Sequence, residues 1–277
     1  GGRRLVNEYN INTELEKVAE AWVLSTHKYG PSVVLNGEYE GKTLAETVNA
    51  FGPDCLGENG KKFSYFPILV KLIDAKDDLS VQVHPDDEYA LRVEGEYGKT
   101  EMWYVVDCDE GAYLYYGFKE PTTKDQFKAA IENNTLTDIL NKVEVKKGDC
   151  FFIESGTVHA IGAGLLIAEI QQNSNTTYRV YDYGRLQNGK PRELHVEKAL
   201  DVTSTKAIDA SGKQMGEKMK KDGYSETLLT TCELFTIKRL DIEEKATVTA
   251  DSTSFVSLVC LEGNGVVMHG DTCVTLY

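Results

Sequence analysis

A series of short strand-like segments is the feature that most restricts the fold of this 277-residue chain. The candidate strands lie at 67–73, 79–84, 101–107, 111–117, 143–145, 150–153, 158–161, 165–172 and 177–181. Turns rich in Gly, Asp and Asn separate them, a pattern typical of a β-sandwich or a jelly roll. The sequence therefore predicts a mainly β fold of the jelly-roll type with helical insertions.

Helical segments are predicted at the start of the chain and between the strands. Apolar residues recur at helical spacing over 14–23, which predicts a helix there. Thr43 can cap a second helix, because Glu46 follows three residues later as in a capping box, and Thr123 can cap a third. Further helical segments are predicted at 124–131, 136–140 and 193–202.

The same pattern divides the chain into domains. We expect an N-terminal helical and loop segment at 1–60, a barrel at 61–202 with a helical insertion at 122–141, a linker at 203–225 and a second β domain at 226–277. The linker is predicted from its Lys, Gly and Ser content. Strands at 234–237, 254–261 and 266–268 indicate the second β domain. Because the sequence stops at Tyr277 within a strand-like segment, we expect this second barrel to be incomplete.

The composition excludes several classes of function. A formal net charge of −14, from 30 basic and 44 acidic residues, argues against a surface for nucleic acid or anionic lipid. Neither an apolar run of the roughly 18 residues that span a membrane nor a secretory leader is recognisable. The 6 cysteines form no C-x-x-C pair, which favours reduced thiols in a cytoplasmic protein. A phosphorylated substrate would need a local cluster of Lys and Arg.

Four polar residues in strand contexts form a candidate metal site. Gln82 and His84 lie two apart, so a strand would place both side chains on one face. Glu101 opens a later strand, and His159 ends the strand–turn–strand stretch 148–159. Two imidazoles, a carboxylate and an amide oxygen suit a single divalent ion, with zinc favoured and Mn, Co or Fe also compatible. Gln is a weak ligand, so Gln82 could instead hydrogen-bond to a ligand.

These segments resemble motifs of the cupin superfamily. The stretch 148–159 is similar to the second cupin motif, with Glu154 where Pro is usual and Ala163 where Asn is usual. The first motif normally has His-x-His with a Glu close behind, whereas here Gln82 replaces the first His and Glu101 follows much later. Type I phosphomannose isomerases show the same departures. Their segments resemble 81–86, 99–103, 171–174 and 177–179 of this chain, in the same order.

The resemblance covers most of residues 1–202 and carries an expected function. It implies interconversion of mannose 6-phosphate and fructose 6-phosphate through a metal-stabilised cis-enediol, with one Zn²⁺ per chain. The family's zinc site corresponds here to Gln82, His84, Glu101 and His159. Its active-site arginine corresponds to Arg179, and Lys99 and Glu169 match further residues of its pocket.

The residue types suggest a role for each of Lys99, Arg179 and Glu169, and each role has an alternative. Lys99 lies two residues before Glu101 and should face the barrel interior, unless it is a surface lysine. Arg179 could hold a phosphate or an enediolate bidentately, or pair with Asp182. Glu169 could transfer protons or orient Arg179. The catalytic base stays open among Glu169, Lys99 and a metal-bound water.

Other interpretations of the whole chain are an iron-dependent cupin dioxygenase and a non-catalytic sugar-binding cupin. The basic residues Arg185, Lys190 and Arg192 are interpreted as a solvated loop, with contact to a phosphate as the alternative. The sequence does not decide whether the protein is a monomer or a dimer.

Overall fold

The computed structural model describes residues 1–210 and 215–276, and within them the chain is mainly β with a few helices. The helices are α1 (Arg4–Glu8), α2 (Leu44–Phe51), α3 (Asp87–Val93), α4 (Lys124–Glu132) and α5 (Val196–Val202). The strands are β1 (Glu20–Leu24), β2 (Ile68–Ala75), β3 (Val81–Val83), β4 (Glu101–Cys108), β5 (Tyr113–Phe118), β6 (Leu140–Glu144), β7 (Cys150–Ile153), β8 (His159–Ile161), β9 (Leu165–Gln172), β10 (Tyr178–Tyr181), β11 (Leu186–Gln187), β12 (Lys190–Pro191), β13 (Lys218–Lys220), β14 (Tyr224–Thr231), β15 (Thr236–Ile242), β16 (Gly265–His269) and β17 (Thr272–Leu276).

Two five-stranded antiparallel sheets form the centre of the molecule. The first has the order β1-β2-β9-β4-β7 and the second β10-β3-β8-β5-β6. Ile73, Trp103 and Ile167 of the first sheet share one buried cluster with Leu114 and Ile161 of the second. Because alternate residues of a strand point to opposite faces, each sheet turns one face towards the other. The predicted mainly β fold with helical insertions is therefore confirmed.

The outer faces of the two sheets are covered by different parts of the chain. On the first sheet, Leu72 and Met102 pack with Leu5 of α1 and Leu229 of β14. The second sheet is covered by α4 and α5, whose apolar side chains join the outward-facing residues of β3 and β8. Each sheet therefore separates an outer core from the interior between the sheets.

Both predicted capping threonines begin helices. The Thr43 hydroxyl accepts a hydrogen bond from the Glu46 backbone N–H at 3.2 Å, and the Glu46 carboxylate accepts one from the Thr43 N–H at 2.7 Å. Thr123 and Gln126 repeat the arrangement at the start of α4. Since the four terminal N–H groups of a helix lack intrahelical partners, these contacts fix where the helices begin.

The helix predicted over 14–23 is wrong, because residues 20–24 form strand β1 along the edge of the first sheet. Trp22 lies opposite Lys71 of β2, and its ring packs close to Gly30. Short apolar runs fit either type of element, and pairing with an existing sheet overrides their helical spacing. The boundary at residue 60 stays a prediction.

The strand predicted over 254–261 is also wrong. Only an isolated bridge between Asp251 and Ser254 forms at its start, and the Val256 and Leu258 side chains are exposed. In the described residues the C-terminal region has a three-stranded sheet, β13-β14-β15, and the hairpin β16-β17. A strand needs a hydrogen-bonding neighbour as well as a suitable sequence.

Two parts of the predicted domains, 211–214 of the linker and Tyr277, lie outside the described residues. The domain division itself stays a prediction. Within the described ranges, no helix is long and apolar enough to span a membrane.

Candidate metal centre and active site

Three of the predicted ligands come together between the two sheets. His84 follows β3, His159 begins β8 and Glu101 begins β4 on the opposite sheet. One ligand atom from each lies within 4.8 Å of the others. The His159 Nε2 atom is 3.4 Å from Glu101 Oε1, and His84 Nε2 is 3.7 Å from Glu101 Oε2. All three side chains are buried, so the cluster belongs to the interior of the protein.

Backbone carbonyl groups orient both imidazoles. The Nδ1 atom of His84 lies 2.9 Å from the Thr176 carbonyl, and that of His159 lies 2.8 Å from the Thr157 carbonyl. Because Nδ1–H donates to these oxygens, the lone pair on Nε2 faces Glu101. Burial lowers the pKa of His159 to about 4 and that of His84 well below its usual range. Both rings are therefore neutral at neutral pH, the form that binds metals.

Buried polar atoms without hydrogen-bond partners indicate what this cluster can bind. His159 Nε2 and Glu101 Oε1 have no hydrogen-bond partner within residues 1–210 and 215–276. Buried polar atoms without partners are costly, so native proteins rarely keep them without a reason. A divalent cation between these atoms would satisfy them. Two imidazole nitrogens and a carboxylate suit zinc and related transition metals.

Gln82 lies next to this cluster on the inner face of its sheet. It is directly opposite His159 in the pairing of β3 with β8, whereas Val81 and Val83 point into the outer core. Residues directly opposite on neighbouring strands share a face, so the Gln82 side chain is on the side of His159. The predicted face is confirmed, and ligation by Gln82 stays a prediction.

Lys99 is buried, with 3% of its surface exposed, so the alternative of a surface lysine is wrong. Its Nζ atom lies 2.7 Å from Glu101 Oε2 and 3.0 Å from His84 Nε2. Burial alone would lower the pKa of Lys99, but the carboxylates of Glu101 and Glu169 raise it overall. Lys99 therefore places a positive charge beside the metal cluster.

Glu169 lies on the inner face of β9 and is held from two sides. The Trp103 indole N–H donates to its Oε2 atom at 2.8 Å. Its Oε1 atom is 3.4 Å from Lys71 Nζ and 3.6 Å from Lys99 Nζ. Burial would raise the pKa of Glu169, but the charges of Lys99 and Lys71 lower it overall. The carboxylate is therefore ionised, and its contacts are with these three residues and not with Arg179.

Sequence reasoning missed Lys71. This residue of β2 is buried, with Nζ 3.4 Å from Glu20 Oε2 and 5.0 Å from the centre of the Trp22 ring. The signal was present, because a single lysine interrupts the apolar run at 67–73. Lysine is almost never fully buried without a partner, so such a position indicates a buried carboxylate nearby.

Arg179 lies on β10 opposite Gln82, two strands from His159. Its Nε donates to the Ser80 hydroxyl at 3.3 Å, and Nη1 donates to the Glu193 carbonyl at 3.1 Å. The alternative salt bridge to Asp182 is wrong, since Asp182 pairs with two other arginines. Among the described residues no carboxylate forms a salt bridge with Arg179.

The relatives that match nearly the whole chain point to one family. The type I phosphomannose isomerase catalytic domain matches residues 4–111. A mannose-6-phosphate isomerase of Streptococcus mutans is 40% identical over 271 residues, which cover 98% of this chain and 83% of that protein. One from Bacillus subtilis is 39% identical over 277 residues, covering 98% of this chain and 84% of its own.

Solved structures extend the likeness to three dimensions. The crystal structure of the mannose 6-phosphate isomerase from Bacillus subtilis has a TM-score of 0.90 at 37% identity, covering 100% of this chain and 86% of its own. A mannose 6-phosphate isomerase bound with zinc and yttrium has a TM-score of 0.69 at 15% identity, covering 100% of this chain and 88% of its own. At 15% identity, the similarity to the structure with zinc and yttrium shows only that the two proteins share a fold.

The facing sheets and the buried His–Glu–His cluster define a cupin enzyme with a metal centre. The chain belongs to the type I phosphomannose isomerase family. The resemblance found in the sequence is thereby confirmed, and neither the dioxygenase nor the sugar-binding alternative is favoured.

Proposed function

We propose that this protein interconverts mannose 6-phosphate and fructose 6-phosphate with one zinc ion bound per chain. The buried cluster of His84, Glu101 and His159 carries this proposal, because its unsatisfied atoms fit a divalent cation. Gln82, which lies opposite His159, is proposed as the fourth ligand. A cytoplasmic location is part of the proposal and is supported by six cysteines that are all free.

The bound cation would act as a Lewis acid on the oxygens at C1 and C2 of the sugar. Lys99 adds a fixed positive charge beside those oxygens, because its Nζ is already paired with Glu101 at 2.7 Å. Negative charge develops there as the carbonyl shifts between the two carbons through a cis-enediol. The buried cluster therefore favours the charge distribution of this intermediate.

The reaction also moves a proton between C2 and C1, and we propose Glu169 as the group that carries it. Its Oε1 atom is buried without a hydrogen bond in the described residues, while Trp103 holds Oε2 at 2.8 Å. One oxygen is thus fixed and the other is directed towards the lysines of the interior. A single carboxylate can take the proton from one carbon and return it to the next.

Arg179 is proposed to bind an anionic part of the substrate. Its guanidinium contacts a hydroxyl and a carbonyl but forms no salt bridge with a described carboxylate, so its charge is available. A guanidinium with unused N–H groups binds phosphate or an enediolate through two parallel hydrogen bonds.

Conversion of mannose 6-phosphate to fructose 6-phosphate, before and after removal of metal with a chelator, tests the proposed function. We expect activity to disappear with the metal and to return with added zinc, while circular dichroism shows that the stripped protein stays folded. Full activity without metal would overturn the metal's role. Metal-loaded protein without isomerase activity would overturn the substrate assignment.

The proton carrier is tested separately with Glu169→Gln in D₂O. This variant should lose exchange of the C2 proton with solvent while it retains metal and binds the sugar phosphate. Exchange at the wild-type rate would exclude Glu169 as the carrier.

A further inference from the structure

Two adjacent glutamines end strand β9, and they lie on opposite faces of the first sheet. Gln171 follows Glu169 by two residues, so its side chain is on the inner face, whereas Gln172 points outwards. Both are buried, with 0% and 4% of their surface exposed. Two identical side chains therefore occupy different surroundings at the end of one strand.

The Gln172 amide is paired through both of its polar atoms. Its Oε1 atom accepts a hydrogen bond from the Thr100 N–H at 2.9 Å, and its Nε2 atom donates to Asp87 at 2.9 Å. Asp87, in the first turn of α3, also accepts a hydrogen bond from the Gly98 N–H at 2.8 Å. Gln172 thus ties β9 to α3 and to the segment before β4, a structural role that needs no ligand.

The Gln171 amide is paired through its nitrogen alone among the described residues. Nε2 donates to the Gln172 and Ser174 carbonyls, both at 2.7 Å. Because a carbonyl oxygen only accepts, the amide nitrogen is the atom that faces them. The planar amide directs Oε1 away from this loop, and Oε1 has no hydrogen-bond partner within residues 1–210 and 215–276. A buried acceptor of this kind costs free energy until a donor reaches it.

Gln171 borders the proposed reaction centre. It lies directly opposite Glu101 of β4 on one side and Leu69 of β2 on the other. Side chains directly opposite on neighbouring strands share a face, with Cβ atoms about 5 Å apart. Glu169 is about 7 Å away along β9 on the same face. Gln171 therefore adjoins both a proposed metal ligand and the proposed proton carrier.

The neighbouring side chains do not supply the missing donor. Lys71 and Lys99 are buried nearby, but the Nζ atom of each lies within 3.6 Å of two carboxylates. Carboxylates only accept, and Leu69 has no polar atom. The donor for Gln171 Oε1 therefore comes from a bound molecule.

An open-chain sugar with C1 and C2 at the metal centre can extend in one direction along β9. Ile167, two residues before Glu169 on the same face, is 0% exposed and belongs to the apolar cluster together with Trp103. Such close packing leaves no room for carbons C3 to C6 on that side. Gln171 lies on the other side of Glu169, so the hydroxyls on C3 and C4 are the first to reach it.

From this geometry we infer that Gln171 is a specificity-determining residue whose Oε1 accepts a hydrogen bond from the hydroxyl on C3 or C4 of the hexose phosphate. The inference rests on the proposed function and names a further part of the same substrate. Because two backbone carbonyls already hold the amide, its oxygen loses little freedom when the sugar binds. A sugar without that hydroxyl leaves a buried acceptor unpaired, which is how sites built for a hydroxyl reject analogues that lack it.

Gln171→Met tests this contact, because methionine has a similar length and removes the amide. The kcat/KM is measured for mannose 6-phosphate and for its 3-deoxy and 4-deoxy analogues. The preference of the wild type for mannose 6-phosphate over at least one analogue should fall about 5- to 100-fold in Gln171→Met. A purely structural defect would lower all three values by the same factor and leave the preference unchanged.

Gln172→Met is the matched control. It removes the same groups from the neighbouring residue on the outer face, so it should lower stability and leave the preference within about twofold of the wild type. Gln171→Met should also keep its metal, as measured by elemental analysis. Loss of metal from this variant would make Gln171 a ligand and overturn the inference.

Failure of this inference differs from failure of the proposed function. Active enzyme whose preference over both analogues is unchanged in Gln171→Met would overturn the hydroxyl contact. Wild-type protein that does not convert mannose 6-phosphate would overturn the function. Calorimetric binding of the same three sugar phosphates then decides the contact, which stands if Gln171→Met loses the preference and falls if it keeps it.

Discussion

The space between the two sheets has two equally buried parts with opposite chemistry. One part is apolar and includes Ile161 and Ile167, and the other contains the side chains of Lys99, Glu101 and His159. Ile167 and Glu101 are both 0% exposed. Burial of an aliphatic side chain stabilises the fold by about 1.5–3 kcal/mol, whereas burial of a carboxylate costs free energy unless it is paired. The first part therefore holds the sheets together, whereas the second costs free energy that the proposed metal binding would explain.

Trp103 forms the boundary between the two parts. Its ring belongs to the apolar cluster and meets the His159 ring edge-on, with the ring centres 5.2 Å apart. Its indole N–H donates to Glu169. One side chain thus contributes to the core and fixes a polar group of the site, as the amphipathic indole permits. We therefore expect substitutions in the polar part to lower activity and metal content, and substitutions in the apolar part to lower stability.

Substitution of a ligand should have the largest effect. His159→Ala should lower kcat/KM by at least about a thousandfold, because the loss of Lewis-acid stabilisation costs several kcal/mol. Metal content per chain should fall in parallel, as measured by elemental analysis. His269→Ala, a matched change on the exposed strand β16, should alter neither. A His159→Ala protein with normal metal content and activity would contradict the assignment of the polar part.

Truncation in the apolar part should act on stability instead. Ile167→Ala should lower the free energy of unfolding by about 2–5 kcal/mol, from lost burial and the cavity left behind. Urea denaturation measures this, and kcat/KM per folded molecule should stay within about threefold of the wild type. The control is Val266→Ala on β16, which is 56% exposed and should change stability by at most about 0.5 kcal/mol. Equal losses at both positions would remove the contrast between core and surface.

A substitution at the boundary should give a mixed result. Trp103→Phe keeps a ring in the core but removes the donor to Glu169, so the carboxylate loses a hydrogen bond worth about 1.5–3 kcal/mol. We expect kcat to fall about tenfold, with a loss of stability smaller than for Ile167→Ala. In Trp22→Phe no indole hydrogen bond to the described residues is lost, so kcat should stay within about threefold. Steady-state kinetics with equal effects in the two variants would show that the indole N–H does not matter.

Much of the site followed from local patterns. The two-residue spacing of Gln82 and His84 predicted a shared face; Gln82 lies on the inner face of β3, and His84, just after this strand, joins the cluster between the sheets. Position within the sheets was less predictable. Among the described residues the sequence at 254–261 pairs with no strand, and residues 20–24, predicted to belong to a helix over 14–23, pair with β2 instead. Lys71 was missed because its carboxylate partners lie far away in the sequence.

The sequence by itself determined the strand periodicity, the capping boxes at Thr43 and Thr123, and the family. Each depends on residues within a few positions of one another, or on motifs in a recognisable order. Only the tertiary structure decided that Asp182 forms salt bridges with Arg185 and Arg192 and, among the described contacts, none with Arg179. A buried charge pairs with the opposite charge that the completed fold places nearest to it. Sequence spacing does not encode that distance.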